Sequence, residues 1–351
     1  MSKLILIDGN AILHRAYHAL PPLTNKKGEV VNAVYGFFSM LLKIIQDLKP
    51  QYLAVCFDKE KPTFRQQLYV GYQAQRPKMA DDLVPQIRIV HEVLQKMGVA
   101  IFEVDGYEAD DLIGTLAKQA VHVQKTQNTQ ITRKSDKSEI QKIRQSGSSD
   151  SPTIRPSEFS EYSENIEVII VSGDRDMLQL VNSHVKVLAP IKGITEMILF
   201  DEKKVEEKYR IKPSQFIDYK SLVGDSSDNY PGVAGIGPKT AVGLLKEYGS
   251  FDELYKNINS LLPKISEKLA TDAEQAALAK KLATIVTDAP ITLDLEQCSM
   301  TKFSMEGARK AFEELGFKSL LKRLENGAEE PQETEETGRT KKKDSEQLGL
   351  L

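Results

Sequence analysis

The chain has 351 residues, 40% hydrophobic and 28% charged, which is long enough for two domains with cores of their own and ordinary for a globular protein. Its formal net charge of −3 does not announce a nucleic-acid binder, although acids gathered in one site with bases around it would also read as near neutral. The two cysteines, Cys56 and Cys298, argue against a disulfide framework or a zinc site; the apolar run at 4–7 is cut by Asp8 before it could serve as a signal peptide, and no run is long enough to cross a bilayer. A cytoplasmic protein is expected.

Residues 3–8 read as a buried strand ending on Asp8, and 30–48 as an amphipathic helix with Val34, Phe37, Phe38, Leu41, Leu42 and Ile45 on its apolar side. Strand 52–57 follows and ends on Asp58. Between 59 and 97 the chain mixes Arg65, Arg76 and Lys78 with Phe64, Tyr69 and Tyr72. Bases that reach phosphates beside aromatic faces that stack on nucleobases suit a grip on single strands. A solvated helix with its aromatics in a core is the other reading of those residues.

Strand 99–104 leads into a helix over 108–120 whose first turn is crowded by Glu108, Asp110 and Asp111. One or two acids complement the free N–H groups of a helix start. Three, next to the apolar Leu112, Ile113 and Leu116, would repel one another unless a cation neutralised them. A merely capped, solvated helix end would explain this motif alone. The same signature recurs, however, at Asp8, at Asp58, and at Asp174 and Asp176 after strand 167–172. Strands alternating with helices imply an α/β fold, with a mostly parallel central sheet and helices on both faces; acids at the carboxyl ends of its strands converge in one crevice.

Residues from about 122 to 165 are polar, and a flexible surface insertion is expected there. Segments 184–189 and 195–200 complete the sheet. Asp225 and Asp228 then precede Gly232, Gly235 and Gly237, with Pro238 opening a helix that carries Lys239 and Thr240. Glycines that let backbone approach a ligand, followed by free helix N–H groups, make an anion site suited to a DNA phosphate; the spacing is not that of a nucleotide P-loop. Helical patterns continue to 324, and the chain beyond 326 is expected to be disordered.

In order along the chain, Ile5-Leu-Ile-Asp-Gly-Asn10, Cys56-Phe-Asp58, Gly106-Tyr-Glu-Ala-Asp-Asp111, Ser172-Gly-Asp-Arg-Asp176, Gly224-Asp-Ser-Ser-Asp228 and Gly232-Val-Ala-Gly-Ile-Gly-Pro-Lys239 closely resemble the 5′→3′ exonuclease, or flap endonuclease, domain of bacterial DNA polymerase I. The resemblance runs from residue 1 to about 325. It implies a two-metal Mg²⁺-dependent phosphodiesterase, with Mn²⁺ as an alternative ion. Asp8, Asp58, Glu108, Asp110, Asp111, Asp174, Asp176, Asp225 and Asp228 would form its metal cluster, Gln73 and Arg76 would stand at the scissile phosphate, and Arg65, Tyr72 and Lys78 would contact DNA. It further implies a nuclease domain over 1–204 with an arch at 59–97, and a helical DNA-binding region over 205–325. In that region a helix–three-turn–helix element is associated with a monovalent cation such as K⁺. A DNA substrate with 5′ ends or flaps, a monomer, and a nucleoid location follow as expectations.

Two departures stand out. Gln73 occupies a position where the family usually has Lys, and the chain stops at 351 without a polymerase domain, so a freestanding nuclease is expected. A catalytically weakened flap-binding scaffold and a PIN-class RNA nuclease are the rival readings. Finally, Gln347, Leu348, Leu350 and Leu351 resemble the peptide by which bacterial repair enzymes dock on the sliding clamp, at the end of a polar tail over 326–351.

Overall fold

In the computed structural model the described residues are 1–134, 166–194 and 196–326. Six strands form one sheet: β1 (Ser2–Asp8), β2 (Tyr52–Cys56), β3 (Ala100–Phe102), β4 (Ile166–Val171), β5 (Val185–Lys192) and β6 (Glu196–Phe200), in the order β3-β2-β1-β4-β5-β6. All neighbours are parallel except β5 and β6, which run antiparallel.

The apolar run at 4–7 has no polar alternation because both faces of β1 are covered. Leu4 and Leu6 point to one core with Ala54, Cys56, Val168 and Ile170, against Leu112, Ile113 and Leu116 of helix α5 (Ala109–Lys134). Ile5 and Ile7 point to the other, with Val55 and Val171, against helices α1 (Gly9–Ala19), α2 (Asn32–Leu48) and α4 (Val84–Lys96). Val34, Phe37, Phe38 and Leu41 are buried in that second core as expected, and Leu42 and Ile45 lie partly exposed at its edge.

Three boundaries differ from expectation. Helix α5 extends beyond 120 to Lys134, into the segment expected as a flexible insertion; its remainder, 135–165, lies outside the described residues. No break in packing occurs at 204, because Val205, Ile211, Phe216, Leu222 and Val233 share a core with Leu4 and Val168. The last helices, Met305–Leu315 and Lys318–Asn326, cross to the opposite face and bury Phe312 and Leu320 beside Phe38. Gly307 makes that return possible, since a Cβ there would lie 1.8 Å from the Lys96 carbonyl oxygen.

Candidate active site

Parallel register brings the strand ends level: Asp8 lies opposite Cys56, and Ile7 opposite Val171. Asp8 caps α1 through Oδ1, which accepts from the Ala11 N–H at 2.9 Å, and its Oδ2 accepts from the Ser172 hydroxyl at 2.7 Å. Asp58 accepts from the Ala109 N–H at 2.7 Å, which fixes the start of α5 against the end of β2. Each acid therefore has a local task as a cap, and each is also delivered to the same crevice.

Asp8, Asp58, Asp110 and Glu108 form the first group. Burial pushes Asp8 up to about 7, assisted by the Asp58 and Asp174 charges. Burial, then Asp174, Asp8, Glu108 and Asp58, push Asp110 well above the usual carboxylate range. Asp58 is raised, again first by burial. Glu108 rises to about 7 through burial, although it accepts from Thr63 Oγ1 at 3.0 Å, Tyr72 OH at 3.2 Å and Arg65 Nη1 at 3.3 Å.

Asp176, Asp225 and Asp228 form the second group, with one carboxylate oxygen from each lying within 4.8 Å of the others. The Lys220 ammonium, from the helix Phe216–Val223, bridges Asp176 and Asp225. Burial works to neutralise Lys220, but Asp176 and Asp225 outweigh it and keep it charged. Burial likewise works to raise Asp225, and Lys220 leaves it lowered. Asp176 is pushed up to about 7, chiefly by burial. Asp174 links the groups, since its charge raises Asp8 and Asp110 on one side and Asp176 and Asp228 on the other.

The segment after helix α3 (Phe64–Leu68) closes over the second group as turns, although the three-residue spacing of Gln73 and Arg76 would suit one face of a helix. Gln73 has φ 55°, its N–H donates to the Asp228 carbonyl at 2.9 Å, and Asn229 Nδ2 donates to the Gly71 carbonyl at 2.7 Å. Gln73 and Arg76 still converge, because Arg76 Nη2 donates to Asp228 Oδ1 at 2.6 Å and the Gln73 side-chain oxygen accepts from Arg76 Nη2 at 3.2 Å.

Asp111, Arg65 and Tyr72 are placed differently from expectation. Asp111 is fully buried with both carboxylate oxygens paired to Arg65, whose Nη1 also reaches Glu108 at 3.3 Å on the interior side of the first group. Such a charge is tolerated in the interior only when paired, and both partners are thereby spent. Tyr72 is also buried, its ring packed with Tyr230, Ala279, Leu282 and Ala283, so it offers no open face for stacking. Lys78 is exposed.

The glycine-rich element follows a ribbon of Gly224–Asp225 paired with Tyr230–Pro231. Gly232 packs on the chain itself: a Cβ there would lie 2.4 Å from the Gly224 nitrogen and the Leu222 carbonyl oxygen. Gly235 (φ 71°), Gly237, Lys239 and Thr240 are exposed, and the helix Pro238–Tyr248 starts at Gly237 without a side-chain cap. Lys268 Nζ donates to the Gly235 carbonyl at 2.8 Å, which adds a base to this face. Gln347, Leu348, Leu350 and Leu351 lie outside the described residues.

Sequence reasoning passed over Ser172, Lys220 and Tyr230. A lysine in a short, largely apolar helix that also carries Asp218 and Ser221, five residues before Asp225, was a signal that could have been read. The Tyr230 hydroxyl has no hydrogen-bond partner among the described residues. Burial first, then the charges of Asp176, Asp225, Asp228 and Asp174, keep its proton in place.

Residues 3–148 match the 5'-3' exonuclease N-terminal resolvase-like domain, and 211–306 match the 5'-3' exonuclease C-terminal SAM fold. DNA polymerase I of Bacillus subtilis is 38% identical over 333 residues, 94% of this chain and 33% of that protein; the polymerase of Caldicellulosiruptor bescii is 38% identical over 324 residues, 92% and 33%. The chain thus spans about a third of the length of these relatives. Among solved structures, the T5 D15 protein co-crystallized with metal ions has a TM-score of 0.57 at 18% identity, covering 93% of this chain and 98% of that one. A bacteriophage T5 D15 flap endonuclease complex with DNA and metal ions has 0.58, also at 18% identity and with the same coverage. These structures share the fold, and the two matched regions, which together take in more than half of the sequence, show that the chain belongs to the 5'-3' exonuclease family of nucleases.

Proposed function

We propose that the protein is a divalent-metal-dependent nuclease that degrades DNA from 5′ ends and cuts 5′ flaps during replication and repair. The observation that carries this reading is the pair of carboxylate groups joined at Asp174, six of whose members (Asp8, Asp58, Glu108, Asp110, Asp176 and Asp228) are pushed upward by burial, all but Asp58 with help from the charge of another acid in those groups. Such a site favours hard cations with oxygen ligands, Mg²⁺ foremost and Mn²⁺ next. Asp8, Asp58, Glu108 and Asp110 would hold one such ion and Asp176, Asp225 and Asp228 another, and the pair would supply activation of the attacking water and stabilisation of the leaving 3′ oxygen.

The chain's own residues do the rest. Asp8 and Asp58 are held by backbone caps, so the first group is preorganised. Arg76 neutralises part of Asp228 and its side chain is half exposed, which lets it turn to a phosphate that enters beside it. Gly235, Gly237, Lys239, Thr240 and Lys268 offer a backbone-phosphate grip, with K⁺ as the monovalent ion for that loop. The protein acts as a monomer. For the tail, Gln347, Leu348, Leu350 and Leu351 would dock on a sliding clamp; a chain truncated after Glu346 should then lose clamp binding.

The test is a set of labelled substrates with Mg²⁺: a 5′-flap DNA duplex, a blunt duplex and a single-stranded RNA. Preferential cutting at the flap junction supports the proposal; preference for the RNA would favour a PIN-type nuclease, and tight flap binding without cutting a scaffold.

A further inference from the structure

Tyr230 is only 3% exposed, and its hydroxyl is without a hydrogen-bond partner among the described residues. Leaving a buried hydroxyl unpaired is unfavourable, so a partner that the folded chain does not supply is implied. Its position says where that partner lies. Tyr230 is directly opposite Asp225 in the antiparallel ribbon, and directly opposed residues project from the same face. Asp228 lies two residues earlier, in the turn that joins the two sides of the ribbon, and Asp225, Asp228 and Asp176 bring carboxylate oxygens within 4.8 Å. The ring is locked by Tyr72, Ala279, Leu282 and Ala283, so the hydroxyl cannot swing out to bulk solvent.

No carboxylate of the group lies within hydrogen-bond reach of it. Asp225 is held by Lys220 and by the N–H and hydroxyl of Ser227, Asp228 Oδ1 by Arg76, and Asp176, although it pairs with Lys220, itself keeps an oxygen without a hydrogen-bond partner among the described residues. The free donor therefore faces a place where oxygen atoms are expected only once a cation has been taken up. Small divalent ions keep several of their waters when bound by carboxylates, and those waters seek acceptors and donors in the surrounding shell.

We infer that Tyr230 is a positioning residue of the second cation site: its hydroxyl donates to an oxygen in the shell of a divalent ion held by Asp176, Asp225 and Asp228. This rests on the two-cation reading given above. The hydroxyl contributes only when the ion is present, so it tunes the affinity of the second ion relative to the first. The same contact ties the ion to the segment around Tyr69 and Tyr72, whose rings pack against Tyr230.

The experiment is a Mn²⁺ titration of the full chain at pH 8, counting bound ions by the loss of free Mn²⁺ signal in electron paramagnetic resonance. It compares the natural protein with Tyr230→Phe, which removes one oxygen and keeps the ring. The inference predicts two ions for the natural protein, and for Tyr230→Phe an unchanged tighter site with the weaker site about 10-fold weaker. It also predicts that metal-free Tyr230→Phe unfolds at the same or a higher denaturant concentration, because an unpaired hydroxyl has been removed. Equal affinities at both sites would overturn the inference while leaving the two-cation reading intact. Loss of metal-free stability in Tyr230→Phe would overturn it too, by showing that the hydroxyl is partnered within the protein. Fewer than two ions on the natural protein would overturn the two-cation reading itself.

Discussion

Arg65 and Asp111 meet in a two-point ion pair, Nη1 to Oδ2 and Nη2 to Oδ1 both at 2.8 Å, in the interior of the protein. Asp111 also accepts from the Val286 and Glu108 N–H groups, and Arg65 donates to the Leu282 and Thr284 carbonyls. The pair therefore bolts α3, the start of α5 and the segment after the helix Ala273–Ala283 together. Asp111→Asn should cost about 3–5 kcal/mol, the usual penalty for stranding one buried charge, measured by urea unfolding without divalent ions. Asp110→Asn should behave in the opposite way, keeping or raising metal-free stability because repulsion is relieved. An Asp111→Asn protein of natural stability that has lost ion binding would show that Asp111 is a ligand after all.

The raised carboxyls give a pH signature. Asp8, Glu108 and Asp176 are pushed up to about 7 without ions, whereas the unfolded chain holds them near ordinary values. Their contribution to metal-free stability is then fully present below about pH 4 and is lost as pH rises through about 7. An ion needs the same groups ionised, so protons compete with it. The rise in melting temperature produced by Mg²⁺ should be small at pH 6 and larger at pH 8. A rise that is independent of pH would mean that other residues hold the ion.

Much of this arrangement was legible in the sequence. Asp8, Asp58, Glu108, Asp110, Asp174 and Asp176 stand where an apolar strand ends or a helix begins, and the register of a parallel sheet makes those places one crevice. What stayed hidden are pairings between distant segments. Nothing local distinguishes Asp111 from Asp110, yet a helix turns successive side chains by roughly 100°, so one faces Arg65 and the core while the other faces the acids. The same holds for Tyr72, which reads as an exposed aromatic until the helix Ala273–Ala283 covers it. Gln73 to Arg76 reads as helical by spacing, but the contacts of Asp228 and Asn229 draw that stretch into turns.

The Gln73 amide lies against the Arg76 guanidinium, which donates to Asp228 Oδ1 at 2.6 Å. Gln73→Lys would add a second cation at the place where Arg76 already stands, and the positive φ is no worse for Lys than for Gln. A donor aimed at developing charge contributes about 10²- to 10³-fold in rate, of which a neutral amide keeps a part. Single-turnover flap cleavage should therefore accelerate by about 10-fold or more. A rate that does not change would show that Arg76 supplies the charge unaided.

Asp174 lies between the two acid groups, and its loss should be felt by both. Asp174→Ala should abolish turnover while leaving flap affinity in Ca²⁺ within a few-fold, measured by fluorescence anisotropy. Cleavage that survives this substitution would remove Asp174 from the site.

The order of the reaction in magnesium tests the two-cation account most directly. At pH 8 and subsaturating Mg²⁺, the logarithm of the single-turnover flap-cleavage rate should rise against the logarithm of free Mg²⁺ with a slope approaching two, and Asp110→Asn should show no measurable cleavage. Cleavage that persists in excess chelator, or a slope of one across the whole range, would contradict it.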